Sequence, residues 1–357
     1  MKILDLKIQS VSKAKEALLK EKLNQKAKPV KSLGKMEEIA LRIGLIQDTL
    51  SPELIKPTMF TVASDHEVCQ EGVSPCPTKM TWQQCLNFLE LGGGIGLFSR
   101  MYGFDLKVVD AGVNFDFAPH PRLIQAKVRK GSRNMLHEPA MTMEECLQAI
   151  ENGRQMIREV AKEGVNVVGF GEMGIGNTTP ASALLSIYTK TDIKECVGPG
   201  SGLDSHGVNH KAWVIQEAMK KHGISENPLE NLARFGGLEI ATICGGMLEA
   251  AAQKMVVITD GFITTSALLA ASEIEPNVLD YAFFSHQSDE QGHALMIDHM
   301  HGDPILNLSF RLGEGTGAAV CYPIIKGSVT MLNEMTTFEE AQVFNTASAK
   351  VAAFSHD

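Results

Sequence analysis

The chain has 357 residues, of which 44% are hydrophobic and 21% are charged, and its formal net charge at pH 7 is -9. This composition is typical of a globular protein and excludes a disordered one. The acidic balance argues against a nucleic-acid partner, because binding to a phosphate backbone needs a basic face. No apolar run reaches the ~18 residues that a membrane helix requires, and the first residues lack a signal-peptide pattern. We therefore expect a cytoplasmic protein without a membrane partner.

The first predicted elements are helices. Residues 11–28 are rich in Lys, Leu, Ala and Glu and predict an amphipathic helix that ends before Pro29, and residues 41–50 predict another helix. Further on, short apolar runs alternate with helical stretches. The predicted strands are 59–63, 106–109, 165–169, 255–259, 281–284 and 318–325, and the helices between them include 143–162, 211–221 and 245–254. This alternation predicts an α/β fold with a parallel sheet covered by helices on both faces.

Polar and glycine-rich residues follow four of the predicted strands. They are Ser64-Asp65-His66, the run from Gly169 to Pro180, the run from Thr259 to Ser266, and Ser285-His286. Ligands of parallel sheets bind beyond the carboxyl ends of the strands. The sequence therefore predicts a ligand site built from these segments.

The segment Gly169-Phe-Gly171-Glu172-Met-Gly174 has the spacing of a dinucleotide-binding loop, and an NAD-dependent dehydrogenase is one hypothesis for it. That loop should lead directly into a helix, whereas here the glycines continue to Gly176. We expect the helix to begin at Asn177 or Thr178, since Asn or Thr caps a helix and Pro follows in its first turn. Glu172 would then lie on an extended loop, where its charge would repel a pyrophosphate.

A second glycine-rich segment, Val197-Gly198-Pro199-Gly200-Ser201-Gly202, is followed by Lys211. Its backbone amides and the Ser201 hydroxyl could hold a phosphate, with the lysine as a point charge. A plain surface loop explains the same residues equally well. Both interpretations stay open on the sequence.

The segment Arg311-Leu-Gly-Glu314-Gly-Thr-Gly-Ala-Ala319 places one carboxylate among three glycines, between two apolar stretches. Glycines allow close approach and positive φ angles. A partly buried Glu has a raised pKa and can act as a base near neutral pH. The alternative is a turn with a solvated Glu.

Cysteine and histidine patterns do not favour a metal. The seven cysteines are scattered and include no Cys-x-x-Cys pair, which predicts reduced thiols. The late histidines are His286, His293, His299 and His301, and they form no His-Glu-x-x-His motif and no Cys/His set. We expect no metal.

Read together, these segments resemble the nicotinate-nucleotide:dimethylbenzimidazole phosphoribosyltransferase family, whose members make the lower-ligand nucleotide of cobalamin. Thirteen matches occur in the family's order and cover nearly the whole chain. They are Lys31-Ser-Leu-Gly34-Lys-Met-Glu37, Ser64-Asp-His66, Glu71-Gly-Val-Ser74, Asn87-Phe-Leu with Gly92-Gly93-Gly94-Ile95, Asp110-Ala-Gly-Val113, Gly131-Ser-Arg-Asn134, Glu138-Pro-Ala-Met-Thr142, Gly171 to Pro180, Gly198 to Asp204, Phe235-Gly-Gly237, Asp260-Gly-Phe262, Ser285-His286 and Arg311-Leu-Gly-Glu-Gly-Thr-Gly317.

The resemblance implies a large α/β domain, residues 46–329, and a small helical domain from both termini, residues 1–45 and 330–357. It also implies a dimer with sites at the subunit interface, no cofactor, and nicotinate mononucleotide and an aromatic base as substrates. Glu314 corresponds to the general base and Glu172 to a second acidic residue. The nucleotide would be held by Gly174, Asn177, Thr178, Gly200, Ser201, Gly202, Lys211 and Ser285, and the incoming base by Ser74, Cys76, Gln83 and Leu312.

Three positions depart from the family's usual pattern. Glu67 stands where a glycine is usual, Cys76 replaces a tyrosine in the base-binding stretch, and Pro199 replaces an arginine. The loss of an aromatic wall at Cys76 changes the shape of the base pocket. Some relatives act on phenolic bases as heterodimers of two similar subunits, so this chain is expected to be a homodimer or one subunit of a heterodimer. A non-catalytic subunit that completes a paralogue's site is the alternative.

Overall fold

The computed structural model of the protein describes residues 6–200 and 202–345. Within them, six strands form one sheet, and every neighbouring pair is parallel. The strands are β1 (Thr58–Ser64), β2 (Asp105–Gly112), β3 (Leu123–Gln125), β4 (Val167–Met173), β5 (Val256–Thr259) and β6 (Ala282–Phe284). Helices flank this sheet, so the predicted α/β class is confirmed.

The helices are α1 (Glu16–Asn24), α2 (Lys35–Ile46), α3 (Met80–Leu89), α4 (Gly93–Tyr102), α5 (Met143–Lys162), α6 (Thr178–Thr189), α7 (Ile193–Cys196), α8 (Ser205–His222), α9 (Pro228–Phe235), α10 (Leu238–Ala252), α11 (Phe262–Ile274), α12 (Gln291–His299) and α13 (Thr316–Glu334). Short 3-10 turns span Glu67–Glu71 and Pro276–Asp280. Helix α5 has the predicted bounds, because Thr142 and Glu145 form a capping box at its start.

The strand order is β3-β2-β1-β4-β5-β6, so the chain builds the sheet outward from the middle in both directions. Such an order leaves a crevice at the carboxyl edge where the direction reverses, here between β1 and β4. Both strands are central. β1 is buried along its whole length, and the rings of Phe60 and Phe170 stack with their centroids 5.9 Å apart.

The described residues form two compact units. The first contains residues 6–9 and 56–321, with the whole sheet. The second contains residues 10–55 and 322–345, and its helices pack around Leu19, Leu23, Ala40 and Leu332. A buried ion pair in the second unit joins Lys28 Nζ to a Glu37 carboxylate oxygen at 2.7 Å. The predicted domain boundaries stay a prediction, since residues 346–357 lie outside the described part of the chain.

One predicted strand is wrong, and one strand was missed. Residues 318–325 belong to helix α13. Most of this stretch is buried, and a short buried apolar run does not distinguish strand from helix by its pattern. The helix forms in spite of the internal Pro323, which local rules disfavour. β3 has only three residues, none of them fully buried, and therefore shows no strand periodicity.

Candidate active site

A cleft of about 300 Å³ opens in the first unit beyond the carboxyl ends of the central strands. It is lined by the end of β4 and the residues after it, by the segments that follow β5 and β6, and by residues 311–314. Cys76, Met80 and Gln84 form a further part of the wall. The strand-end segments that the sequence singled out therefore meet at one place.

A larger cavity of about 470 Å³ lies elsewhere in the first unit, beside Arg133 and Arg234. Its charged groups already pair with each other: Arg133 binds Glu145, and Arg234 binds Glu230 at 2.7 Å. In the smaller cleft, Glu172 and Glu314 are held by amide groups and not by ion pairs. We therefore take the smaller cleft as the candidate site.

Glu314 lies at the start of α13 with a φ of 67°, between two glycines, and is 7% exposed. The backbone amides of Gly94 and Ile95, in the first turn of α4, both donate to its Oε2 atom, at 3.0 and 3.3 Å. Its carbonyl oxygen accepts a hydrogen bond of 2.7 Å from the Thr61 hydroxyl. The solvated-turn alternative does not fit this buried, anchored carboxylate.

Burial raises the pKa of Glu314, the amides of Ile95 and Gly94 lower it, and the charge of Asp260 raises it further. The net shift is upward, toward the range of a useful base. Among the described residues, no protein donor reaches Oε1. One oxygen is therefore anchored, and the other is available to accept a proton.

Glycine at position 171 brings β4 against the backbone of Glu314. A Cβ on Gly171 would lie 2.1 Å from the Glu314 carbonyl oxygen and 2.2 Å from the Gly315 nitrogen. No real side chain tolerates such distances. The position of the Glu314 backbone therefore depends on this glycine.

Glu172 lies within β4 and not on an extended loop, which corrects the prediction for this residue. It is 8% exposed, and the side-chain amide of Asn177 donates to its Oε2 atom. Helix α6 begins at Thr178 as predicted, but Asn177 holds Glu172 and makes no side-chain cap. A Cβ on Gly313 would lie 2.4 Å from Glu172 Oε1, so the two carboxylate-bearing segments are in close contact.

Burial raises the pKa of Glu172 to about 8. The Asn177 amide lowers it, whereas the negative charges of Glu239, Asp260 and Glu314 raise it further. In the ligand-free protein at pH 7 this carboxyl group is therefore mostly protonated. It becomes an anion only when a nearby positive charge or a higher pH favours the ionised form.

Asp260 follows β5 and organises the segment that carries Glu314. Its two carboxylate oxygens accept hydrogen bonds from the backbone amides of Gly315, at 2.9 Å, and Ala318, at 3.1 Å. Burial raises its pKa to about 7 in spite of these amides. The sequence placed Asp260 at a strand end, but no local pattern indicated that it supports a loop 55 residues away.

A buried ion pair lies beneath the same wall. His66 Nε2 is 3.0 Å from Glu239 Oε1, and neither side chain is exposed. The other ring nitrogen of His66 is 3.0 Å from the Ser132 hydroxyl. Burial lowers the pKa of His66, but the charge of Glu239 and its hydrogen bond outweigh burial and raise it. The upward shift favours the positively charged form of His66, close to several acidic side chains.

The predicted nucleotide residues are only partly brought together. Gly174, Thr178 and Gly200 line the cleft. The fully buried Lys211 donates to the Thr178 hydroxyl, and burial lowers its pKa to about 8. Gly202 is exposed and does not line the cleft, and Ser201 lies outside the described residues.

Ser285 does not reach the cleft in this structure. It is completely buried, and its hydroxyl donates to the Asp260 carbonyl at 3.2 Å. The same hydroxyl is 3.0 Å from His286 Nδ1. Its contact with a nucleotide is therefore not supported by the ligand-free geometry.

Only some of the residues predicted to bind the incoming base line the cleft. Cys76 and Leu312 line the cleft, whereas Ser74 does not. Gln83 lies on the exposed face of α3, and its neighbour Gln84 lines the cleft instead. A shift of one residue rotates a side chain by about 100° around a helix, so the sequence identified the correct helix but the wrong face.

His286 and His293 have protein partners. His293 accepts a hydrogen bond from the Ser288 amide at 2.8 Å, and its other ring nitrogen is 2.8 Å from the Thr265 hydroxyl. Burial lowers the pKa of His286 to about 4 and that of His293 to about 3. In the described ranges, no group of three or more His, Cys, Asp or Glu side chains is arranged to hold a metal ion.

The glycines of the apparent dinucleotide motif serve packing. Gly169 and Gly171 lie inside β4, where a Cβ would meet the Met59 side chain at 2.5 Å or the Glu314 backbone. A dinucleotide fold of this strand order carries its glycine loop after the first strand. Here β1 is followed by Asp65, His66 and a 3-10 turn. The dehydrogenase hypothesis loses its structural basis.

Residues 6–200 and 202–345 contain no helix with the length and apolar character needed to span a bilayer.

Comparison with known proteins gives one consistent family. A family model described as phosphoribosyltransferase (DBI_PRT) matches residues 8–343. A nicotinate-nucleotide–dimethylbenzimidazole phosphoribosyltransferase of Bacteroides fragilis is 49% identical over 325 residues, 91% of this chain and 94% of that protein. The enzyme of that name from Dechloromonas aromatica is 47% identical over 331 residues, 92% and 95% of the two chains. The crystal structure of CobT from Thermus thermophilus superposes with a TM-score of 0.89 at 36% identity, covering 92% of this chain and 98% of that one.

The parallel sheet, the cleft at its carboxyl edge and the matching family model define this protein as a phosphoribosyltransferase. The chain belongs to the nicotinate-nucleotide:dimethylbenzimidazole phosphoribosyltransferase family. The resemblance seen in the sequence is confirmed.

Proposed function

We propose that this enzyme transfers the phosphoribosyl group of nicotinate mononucleotide to an aromatic lower-ligand base, giving nicotinate and an α-ribotide for cobamide biosynthesis. The observation that carries the proposal is the anchored carboxylate of Glu314, which lines the same cleft as Glu172 in a member of this family. The names of the relatives supply the substrates. The cytoplasmic location expected from the sequence is part of the proposal.

The proposed reaction needs one base and no metal. Nicotinate leaves as a neutral ring because it starts as a pyridinium, so no general acid is needed. The incoming base loses its proton to Glu314, and its nucleophilic atom bonds to C1′ of the ribose as the nicotinate nitrogen departs. One displacement inverts C1′ from β to α. A well-placed base contributes typically ~10²–10⁴-fold, and alignment of the two reactants removes a further ~7–11 kcal/mol of barrier.

We assign Glu172 the role of stabilising positive charge on the ribose. Its pKa of about 8 means that this role requires loss of a proton when substrate binds. The pyridinium of nicotinate mononucleotide favours that ionisation, because an opposite charge nearby lowers the pKa of a carboxyl group. Glu172→Gln should therefore lower kcat, and unchanged kinetics in this variant would exclude the role.

The two ends of the cleft suit different parts of the substrates. Thr178, Gly200 and Lys211 gather a hydroxyl, an amide and a cation suited to the nucleotide phosphate. Cys76, Met80, Gln84 and Leu312 form a mostly apolar wall suited to an aromatic base. The base is 5,6-dimethylbenzimidazole or a phenol such as p-cresol. An assay that offers both with nicotinate mononucleotide, followed by mass analysis of the ribotide, identifies it.

We propose that the enzyme acts as a dimer, either with itself or with a paralogous subunit. Exposed apolar side chains on α3 and α4 support this, since Leu86, Leu97 and Met101 are 40%, 50% and 67% exposed. The presence of both acids in one cleft favours a catalytic chain over a subunit that only completes a partner's site. Light scattering and activity of the chain alone, and then with a paralogue, test these alternatives.

The decisive experiment is Glu314→Gln, which removes the proton acceptor and keeps the side chain's size. We expect kcat to fall by roughly 10²–10⁴-fold with either base. Glu90→Gln, a change of the same kind at an exposed side chain, is the matched control. Wild-type turnover in Glu314→Gln would overturn the proposed mechanism.

A further inference from the structure

Glu290 occupies the N-cap position of α12 but makes no side-chain cap to its own helix. Its carboxylate reaches the segment of residues 198–200 instead. A Cβ on Gly198 would lie 2.7 Å from Glu290 Oε2, Glu290 and Gly200 line the same cleft, and the backbone amide of Gly200 lowers the pKa of the carboxylate. The carboxylate of one strand-end segment thus lies against the backbone of another.

The surroundings of Glu290 are those of an anion site. Burial raises the pKa of Glu290, while the positive charges of Lys211 and Arg311 lower it. Lys211 Nζ lies 3.6 Å from the point where a Cβ on Gly200 would be, and Thr178 Oγ1 lies 3.0 Å from that point. A cation, a hydroxyl and an amide therefore converge in a small region, and the acidic side chain next to them in the ligand-free protein is that of Glu290.

A phosphate at this place would use the same donors. Two anions cannot share the Gly200 amide and the Lys211 charge without repelling each other. We propose that Glu290 is an internal competitor for the phosphate: it occupies the anion site in the free enzyme, and the phosphate of the nucleotide displaces it. This inference rests on the proposed function, which places a nucleotide phosphate at this loop.

The competition acts on substrate and product alike. The phosphate takes no part in the displacement at C1′ and is retained in the α-ribotide. A carboxylate that returns to the amide of Gly200 therefore helps the product to leave as well as weakening the hold on the substrate. Glu290 lowers nucleotide affinity in exchange for faster release.

Glu290→Gln separates this role from that of a simple anchor. Glutamine keeps an oxygen that accepts the Gly200 amide but carries no charge. We expect the Kd of nicotinate mononucleotide, measured by calorimetry, to fall about tenfold, equivalent to about 1.4 kcal/mol. The Kd of nicotinate riboside, which lacks the phosphate, should not change. Asp298→Asn makes the same change of charge at an exposed residue of the same helix, and it should leave both values at the wild-type level.

An unchanged or higher Kd of nicotinate mononucleotide in Glu290→Gln would overturn the inference, and so would equal tightening in Asp298→Asn. Failure of the wild type to bind nicotinate mononucleotide would overturn the proposed function instead. Inorganic phosphate then decides the role of Glu290 by itself. Tighter phosphate binding in Glu290→Gln than in wild type supports the competitor, and equal or weaker binding rejects it.

Discussion

The two glycine-rich segments beside the cleft use glycine for different reasons. In residues 313–317, neighbouring atoms take the space of a side chain: a Cβ on Gly317 would lie 2.1 Å from His286 Nδ1. In the segment around Gly200, a Cβ on Gly202 would meet no atom within 4 Å, and glycine is favoured there by a φ of 119°. Close packing constrains each glycine of the first segment, whereas in the second it constrains Gly198 and Gly200 but leaves Gly202 open. Equal glycine content therefore does not mean equal rigidity.

The largest expected effect tests the packed segment. Gly171→Ala places a methyl group 2.1 Å from the Glu314 carbonyl oxygen, so the backbone that carries the base must move. We expect kcat to fall roughly 100-fold, as misplacement of a reacting group by about 1 Å does. Steady-state kinetics measure it, with circular dichroism to verify the fold. Full turnover in Gly171→Ala would show that residues 313–317 adjust to the added methyl group. It would remove the contrast between this segment and the one around Gly200.

The second prediction concerns the acids packed against the same segment. The pKa of Glu172 rises from 4.5 in the unfolded chain to about 8 in the folded one. Folding then takes up a proton, so this stabilising contribution is complete below pH 4.5 and is lost as the pH rises toward 8. We expect the free energy of unfolding to fall by on the order of a few kcal/mol between about pH 5 and pH 8.

Urea unfolding at a series of pH values checks this slope in the wild type and in Glu172→Gln. The variant should retain only part of it, because Asp260, whose pKa is raised to about 7, contributes in the same direction. Glu163→Gln, at an exposed residue, should keep the wild-type slope. An identical slope in Glu172→Gln would mean that Glu172 ionises normally in the folded protein.

The smallest expected effect tests the open segment. Gly202→Ala adds a methyl group in free space, and only its positive φ opposes the change. We expect the free energy of unfolding to fall by roughly 1 kcal/mol, the cost of left-handed backbone for an L-residue. Turnover should stay at the wild-type level, and any change should fall on the KM for nicotinate mononucleotide. A loss of kcat in Gly202→Ala as large as that expected for Gly171→Ala would contradict the distinction between the two glycine-rich segments.

The sequence predicted the fold well where periodicity decides it. Five strands of the sheet and helix α5 were located, because buried β-branched runs and the helical stretches between them are local signals. Residues 318–325 were assigned to a strand in error. The Asp260 carboxylate holds the amides that open α13, and that contact joins distant parts of the chain.

The site was predicted by residue type better than by geometry. Glu314 could be singled out because glycines surround it. The sequence placed Glu172 on a loop, because the glycines beside it are typical of a turn. In the structure, Met59 and the Glu314 backbone pack against these glycines, and the sequence does not show those contacts. The choice of Gln83 over Gln84 depended on the rotation of one helix. The hydrogen bonds that hold Glu314 against α4 come from backbone amides, so no side-chain pattern in the sequence indicates them.

These backbone hydrogen bonds to Glu314 have an evolutionary consequence. The groups that hold Glu314 are main-chain amides of Gly94 and Ile95, which persist in nearly any sequence that keeps the helix start. The wall that we propose meets the incoming base is made of side chains, such as Cys76, Met80 and Gln84, which mutation exchanges freely. Substrate choice can therefore drift while the chemistry stays constant. A lineage can acquire a new lower ligand by changing the side chains of one wall, without rebuilding the machinery behind it.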